Sequence, residues 1–372
     1  MTGHRHRNTP AADSVLSRRD FAVGGLVAVS ALGGISKRSR AAEARRFEGK
    51  SVTFASWGGA YQDTQKACYC DPFAKQTGAT VIQDGPMNEA KLRAMIEGGQ
   101  PVWDVVDVTH DSIYNYIKNN MLEKLDLSKI NVSRIDPKYR NDYGIGDIAW
   151  SYNIGYSTKV FSDTSHPRTW ADVFDLARFP GMRTLNADGP QPVFEVALMA
   201  DGVPIEKLYD VLSTDAGVKR ALTKLDTIKK KTIFWDTNSQ SQQLFIDGEV
   251  SCGLILNGRI YDAVKKGGAL GIEWNQNIQS IDYLVIPRGS KNIELAHALI
   301  DEMTVADNQA KLANIIAYAP TNPAAFSSID QKIAPWLSTN PANVAQGFLI
   351  NAEFWRENQE KLTQIYEAWK LS

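Results

Sequence analysis

Short apolar runs alternate with amphipathic segments along the chain, a pattern typical of an α/β protein with a mainly parallel sheet. In the first half, runs rich in β-branched residues predict buried strands at 51–56, 80–84 and 103–108. Helical spacing of apolar residues follows each run and predicts helices over 61–77, over 88–97 and from Ser112 onward. This repeated order of strand, loop and helix predicts a first lobe.

The second half begins with a long aromatic run at 148–156, which we interpret as a strand that crosses between two lobes. Apolar spacing then predicts helices at 170–176, 204–213, 216–229 and 239–246. We expect a further strand at 251–256 that turns at Asn257 and Gly258, and a return strand at 282–287.

The first 44 residues have the pattern of a secretion leader. Arg18 and Arg19 precede a weakly apolar, Gly/Ala-rich run, as in twin-arginine signal peptides. The run is shorter than the ~20 residues that a membrane-spanning helix needs. A small-x-small cleavage site ends at Ala44. We therefore expect residues 1–44 to be a signal peptide and the remainder to be periplasmic, with an anchored or disordered tail as the alternative.

The charge balance changes once this leader is set aside. Seven of the 41 Lys and Arg residues and three of the 42 acidic residues lie in it, so residues 45–372 carry a net charge of −5. A mildly acidic surface argues against nucleic acid or an anionic membrane as a partner. No segment after residue 45 is apolar enough to span a membrane, and the remaining length fits two lobes.

The sequence has no motif of a common catalytic or metal site. Gly-x-Ser-x-Gly, His-Glu-x-x-His and Walker patterns are absent from it. The histidines that follow the leader have no ligand spacing, and they are His110, His166 and His297. We expect no catalytic residue, no metal and no cofactor.

The three cysteines leave two arrangements open. Cys68, Cys70 and Cys252 make an odd count, so one disulfide with one thiol is possible in an oxidising compartment. Cys68 and Cys70 diverge on the predicted helix and should not bridge each other. Buried free thiols are favoured, because cysteine packs as a small hydrophobe.

Two loops that follow predicted strands are candidates for ligand contact. The segment 57–61, Trp-Gly-Gly-Ala-Tyr, follows the first strand, and ligands of open α/β sheets bind at the carboxyl ends of strands. Its two glycines let backbone approach a ligand, and a plain tight turn is the alternative interpretation. Thr109 and Ser112 lie in the same position after the third strand, where Ser112 is better explained as a helix cap.

Six stretches spread over nearly all of the chain after the leader carry a resemblance to a known family. They are 54–73, 103–108, 150–156, 245–249, 253–259 and 317–322. In order and spacing they resemble the periplasmic solute-binding proteins of ABC importers, and in detail the spermidine/putrescine-binding group. This resemblance implies a two-lobed periplasmic binding protein fold of type II, with two crossing strands and a cleft between the lobes.

The resemblance also implies which residues contact the ligand. Five positions match aromatic or hydroxyl contacts of the family, and they are Trp57, Tyr61, Thr109, Ser239 and Tyr318. Asp282 matches the acid that receives a substrate amine. An acid expected in the second lobe near 191–195 is uncertain, since Glu195 is expected on a core-facing helix and 188–191 is only a candidate loop.

Arg259 departs from the pattern of polyamine binders, which have a Trp and a nearby acid in this region. An arginine in the cleft would oppose a diamine and favour a carboxylate, which a guanidinium binds in bidentate fashion. Arg259 and Asp282 would then hold the two ends of a zwitterion, which resembles the branch of the family that binds γ-aminobutyrate-like amino acids or related conjugates. The structural alternative is that Arg259 pairs with Asp262 at a helix start.

We therefore expect a first lobe of 45–148 plus 281–325 and a second lobe of 149–280 plus 326–372. The expected function is that of a monomeric, non-enzymatic periplasmic component of an ABC importer. It would capture a small ω-amino acid by hinge closure and deliver it to a membrane permease. Polyamine binding is the main alternative, and a secreted hydrolase, a ferric-ion binder and a sensor subunit are further ones.

Overall fold

The computed structural model describes residues 46–187 and 189–372, so the predicted signal peptide and Asp188 lie outside the described residues. The strands are β1 Ser51–Ala55, β2 Thr80–Asp84, β3 Val105–Thr109, β4 Gly144–Ser157, β5 Arg183–Asn186, β6 Thr232–Trp235, β7 Cys252–Leu256, β8 Leu270–Val285, β9 Ala319–Pro320 and β10 Gly347–Leu349. They form one sheet in the order β2-β1-β3-β8-β4-β7-β5-β6, with β9 paired to β4 and β10 to β8.

Fourteen α-helices belong to the described chain. They are α1 Gly59–Gln65, α2 Asp71–Thr77, α3 Glu89–Glu97, α4 His110–Lys118, α5 Trp170–Phe174, α6 Val193–Ala200, α7 Leu208–Leu212, α8 Asp215–Asp226, α9 Asn238–Ile246, α10 Asn257–Lys265, α11 Ile293–Met303, α12 Ala306–Ile316, α13 Pro341–Val344 and α14 Ala352–Leu371. Short 3₁₀ segments are Leu127–Lys129, Val132–Arg134, Pro137–Tyr139, Ile205–Lys207, Lys229–Lys231, Pro323–Ser328 and Ala334–Trp336.

Two long strands join two parallel blocks of the sheet. β1 is parallel to β2 and β3, and β5 is parallel to β6 and β7. Between these blocks β4 and β8 run antiparallel to each other over most of their length. The crossing strand predicted at 148–156 is confirmed as part of β4. The return strand β8 begins 12 residues earlier than predicted. The sequence did not indicate residues 270–281, because their polar members do not follow the pattern of a buried strand.

The apolar side chains form two cores. The first takes its residues from 47–149 and 281–337, and the second from 154–278 and 350–369. β4 contributes to both, with Ile145 and Ile148 in the first core and Ile154 and Tyr156 in the second. The exact lobe boundaries expected from the sequence stay a prediction.

The helix predicted over 61–77 is divided into three parts. Between α1 and α2 lies a π-helical turn, Lys66–Cys70, in which the Asp71 N–H donates to the Lys66 carbonyl. Pro72 follows directly and has no N–H for the regular ladder, so an irregular turn is expected just there. Gly78 ends α2 with a φ of 76°, as predicted.

Two predicted boundaries are wrong. α4 begins at His110 rather than at Ser112, and its first turn follows β3 without a loop. Asn257 and Gly258 are not a turn, because α10 begins at Asn257 directly after β7. The Asn257 side chain instead hydrogen-bonds to two other segments. Its Oδ1 accepts from the Ser151 N–H of β4 at 3.1 Å, and its Nδ2 donates to the Trp336 carbonyl of the 3₁₀ segment Ala334–Trp336 at 3.0 Å.

The cysteines agree with the favoured prediction. Cys68, Cys70 and Cys252 are free and buried. Burial raises the pKa of the Cys70 and Cys252 thiols to about 12. Within the described ranges, no helix is both long enough and apolar enough to cross a membrane.

Candidate binding site

A cavity of about 660 Å³ lies where loops of the first core face helices of the second half. One side is formed by the β1–α1 loop, by Thr109 at the end of β3 and by Asp282 of β8. Further lining comes from Asn238, the first residue of α9, and from α10. A cavity of this volume suits a small organic solute.

The β1–α1 loop takes its shape from two glycines. Gly58 and Gly59 have φ angles of 74° and 58°, in the left-handed region that favours glycine. The loop therefore turns within two residues, and both Trp57 and Tyr61 reach the cavity. The ring of Tyr61 meets that of Tyr318 edge to face, with centroids 5.3 Å apart. These rings give the cavity an aromatic wall that can contact aliphatic or cationic groups.

Asp282 supplies a carboxyl group to this wall. It lies opposite Thr109 in the β3–β8 register and is only 6% exposed. The Trp150 indole N–H donates to its Oδ1 at 2.9 Å, and among the described residues no cation pairs with it. Burial raises the pKa of Asp282 well above its usual range, the charge of Asp107 adds to the rise, and the Trp150 hydrogen bond opposes it. A bound cation would stabilise the ionised form of this carboxyl.

Arg259 lines the same cavity from the first turn of α10. Its predicted structural partner Asp262 is held by other groups, since Gln242 Nε2 and Lys266 Nζ each donate to it at 2.8 Å. Within the described chain, no carboxylate lies at ion-pair distance from the Arg259 guanidinium. α10 also lacks a side-chain cap at Leu256, so the positive end of its dipole adds to the Arg259 charge.

Six of the seven residues expected at the site line this one cavity. They are Trp57, Tyr61, Thr109, Arg259, Asp282 and Tyr318. Ser239 is exposed and does not line it, whereas the preceding residue Asn238 does. That these residues hold a ligand stays a prediction.

The pattern of bacterial extracellular solute-binding proteins matches residues 68–345. The chain belongs to this family. It is the substrate-binding component of an ABC transporter, and delivery to a permease is implied by the family.

Individual relatives agree with the fold and the family. The gamma-aminobutyric acid-binding protein of Pseudomonas aeruginosa is 32% identical over 331 residues, which cover 88% of this chain and 93% of the relative. The solved structure of the Atu4243-GABA receptor is 38% identical, with 86% of this chain and 98% of that chain covered and a TM-score of 0.78. Spermidine/putrescine-binding periplasmic protein 1 of Haemophilus influenzae is 26% identical, with 80% and 83% covered. The predicted family and two-lobed fold are confirmed.

Glu195, one candidate for the uncertain acid in the second half of this solute-binding protein, does not line the cavity, and Asp188 of the candidate loop 188–191 lies outside the described residues. Glu195 is fully buried in α6, where its Oε1 accepts from Trp355 Nε1 at 2.6 Å and from the Tyr209 hydroxyl at 3.2 Å. Burial raises the pKa of Glu195 to about 7, and these hydrogen bonds limit the rise.

Sequence reasoning missed two kinds of residue at the site. Trp150, Tyr261, Lys265 and Lys266 line the cavity but had no assigned role. Two further acids, Asp107 and Asp147, lie fully buried behind Tyr61. A signal for Asp107 was present, since a charged residue inside the apolar strand 103–108 calls for an explanation.

Proposed function

We propose that this solute-binding protein captures a small ω-amino acid, such as γ-aminobutyrate or a related zwitterion. Asp282 would receive the ammonium group, and Arg259 the carboxylate. One observation carries the proposal: these opposite charges line a single cavity, and within the described chain neither has an ion-pair partner.

Physical chemistry favours a ligand with both charges. The Arg259 guanidinium matches a carboxylate with two parallel hydrogen bonds, and the first turn of α10, which has no side-chain cap, adds a favourable dipole. The buried carboxyl of Asp282 gains most from an ammonium, since water reaches it poorly. Trp57, Tyr61 and Tyr318 would then cover the carbon chain of the ligand.

The relatives support this class of ligand. The Pseudomonas aeruginosa relative is a gamma-aminobutyric acid-binding protein and is 32% identical, and the Atu4243-GABA receptor is 38% identical. The spermidine/putrescine-binding relative from Haemophilus influenzae has lower identity, 26%.

A polyamine is the second candidate ligand, because Asp262 and Asp282 both line the aromatic cavity and could receive two ammonium groups. Against it, Asp262 is already paired with Lys266. Arg259, Lys265 and Lys266 would also repel a second ammonium at the α10 side.

Capture would proceed by closure of the two lobes about the β4–β8 pair, followed by delivery to a membrane permease. We place the protein in the periplasm as a monomer without enzymatic activity. Export through the twin-arginine pathway and cleavage near Ala44 are part of this proposal, as are the lobes 45–148 plus 281–325 and 149–280 plus 326–372.

Isothermal titration calorimetry on Arg259→Ala tests the proposal. Loss of one partner of a desolvated ion pair costs about 3–5 kcal/mol, so affinity for γ-aminobutyrate should fall by about 150-fold or more. Putrescine binding should be unchanged or stronger, because a like charge is removed. Arg288→Ala, which removes an exposed cation away from the cavity, is the matched control. Equal losses for both ligands would contradict the proposed role of Arg259.

A further inference from the structure

Two buried aspartates share their hydrogen-bond donors directly behind the aromatic wall. The Tyr61 hydroxyl lies 2.9 Å from Asp107 Oδ2 and 3.2 Å from Asp147 Oδ2. The Gln65 amide nitrogen lies 2.9 Å and 2.6 Å from the same two oxygens. Both carboxyl groups are fully buried, on β3 and β4 respectively. Tyr61, which lines the cavity, therefore connects the pair to the cavity wall.

No positive charge balances this pair. Among the described residues, neither Asp107 nor Asp147 has a Lys, Arg or His at ion-pair distance. The titratable groups that face them are Tyr61, Tyr69 and Cys70 from the segment 61–70, Asp282 from β8, and Tyr318, which follows α12. All of these groups are neutral or negative near pH 7, so two ionised carboxylates here would repel each other without compensation.

The hydrogen-bond geometry also calls for more hydrogens than the neighbours supply. The single hydrogen of the Ser56 hydroxyl must go to Gln65 Oε1, 2.6 Å away, because an amide oxygen only accepts. The 3.0 Å contact between Ser56 Oγ and Asp107 Oδ2 can then be a hydrogen bond only if the carboxyl pair is protonated and donates to Ser56 Oγ. The Gln65 amide likewise has two hydrogens for three oxygen neighbours, on Tyr61, Asp107 and Asp147.

We propose that Asp107 and Asp147 share one proton at neutral pH and that this proton fixes the position of Tyr61 in the cavity wall, so that its loss weakens ligand binding. The two aspartates are positioning residues, and the inference rests on the proposed binding function. Burial raises the pKa of both carboxyls, and the charge of Asp107 raises that of Asp147 further. Once the shared proton leaves, Tyr61 faces two repelling carboxylates and its hydroxyl can satisfy only one.

The first test needs no ligand. At pH 7 the infrared spectrum of the wild type should contain the C=O stretching band of a protonated carboxyl, and the spectrum of Asp147→Asn should lack it. The difference between the two spectra should therefore show this band. Glu195, whose pKa does not depend on the pair, cancels in this difference. Asp282, whose pKa the two aspartates raise, is excluded as the source of the band by repeating the comparison in an Asp282→Asn background. Should Asp147→Asn fail to fold, Asp107→Asn serves the same comparison, because replacing either carboxyl removes the shared proton.

The second test measures γ-aminobutyrate affinity from pH 6 to pH 9.5, a range in which an alkyl ammonium stays charged. Titration of Asp282 strengthens ammonium binding as pH rises in both proteins. Because the Asp147 charge raises the pKa of Asp282, this gain is larger in the wild type and opposes the predicted loss, so a falling ratio of wild-type to variant affinity reports the shared proton. One linked proton changes an affinity by up to about tenfold per pH unit, so wild type should lose at least about tenfold relative to the variant across this range. Asp104→Asn, a buried aspartate held by Thr53 and Ser290, should give a ratio that does not change with pH.

A missing carboxyl band or a constant affinity ratio for Asp147→Asn overturns the inference. If wild type binds no γ-aminobutyrate at any pH, the proposed function fails instead, and the infrared band alone decides whether the pair holds a proton.

Discussion

Replacing Asp282 with asparagine removes the carboxylate that we expect to hold the ammonium group while keeping the shape of the cavity wall. The amide oxygen of the new side chain would still accept the hydrogen bond that Trp150 Nε1 donates to Asp282 Oδ1 at 2.9 Å. Because Asp282 is only 6% exposed, solvent screens its charge poorly, and the full penalty for an unpaired buried ammonium applies. That penalty is about 3–5 kcal/mol, which corresponds to a loss of affinity of about 150- to 5,000-fold.

The same variant gives a second readout, which a merely structural role would not produce. Burial raises the pKa of Asp282, and a bound ammonium would lower it again, so ligand binding should release protons from this carboxyl. Isothermal titration calorimetry in two buffers of different ionisation enthalpy measures this release. Wild type should release up to one proton per γ-aminobutyrate, and Asp282→Asn should release less.

Asp111→Asn is the matched control, since Asp111 acts on Asp282 by charge but does not line the cavity. It should change the affinity by no more than a few-fold. If Asp282→Asn binds γ-aminobutyrate as strongly as this control does, the assignment of the ammonium to Asp282 is refuted.

Three further predictions follow from other parts of the chain. Trp57→Ala should weaken ligand binding by about fivefold or more, since a desolvated aromatic contact is worth on the order of 1 kcal/mol, and should reduce the ligand-induced change in Trp fluorescence; unchanged affinity would exclude Trp57 from the site. Arg18→Lys combined with Arg19→Lys should leave precursor in the cytoplasm in cell fractionation, and normal export would argue against the twin-arginine pathway. Because the pKa of Glu195 is raised, its contribution to folding stability falls as pH rises from about 4 to about 7. Glu195→Gln should therefore reduce the fall of the unfolding temperature over this pH range. An unchanged slope would contradict this prediction.

Local patterns in the sequence predicted those features that depend on neighbouring residues. The strand β2 and the helix α3, capped by Asn88 through a 2.8 Å bond from the Lys91 N–H, agree with the prediction because period and cap lie within a few residues. The Gly58-Gly59 turn was visible for the same reason. The segment 270–281 of β8 was missed, because its polar residues are held in a strand by pairing with β4 and β10, which come from distant parts of the chain.

The site could be predicted in part. Resemblance to a family selected six residues that line one cavity, although Ser239 does not reach it. The Asp107–Asp147 pair could not be derived from the sequence, because the two residues are 40 positions apart and meet only through the pairing of β8 between β3 and β4. The i,i+4 spacing of Asp262 and Lys266 on α10 is a local signal for their ion pair, which leaves Arg259 without an ion-pair partner among the described residues.

The most direct test of the central claim is a parallel calorimetric titration of the wild-type protein, freed of any copurified ligand, with γ-aminobutyrate, putrescine and spermidine. The Arg259–Asp282 arrangement predicts tight binding of γ-aminobutyrate and far weaker binding of both polyamines. Tight binding of putrescine or spermidine, together with no measurable binding of γ-aminobutyrate or other amino acids, would contradict it.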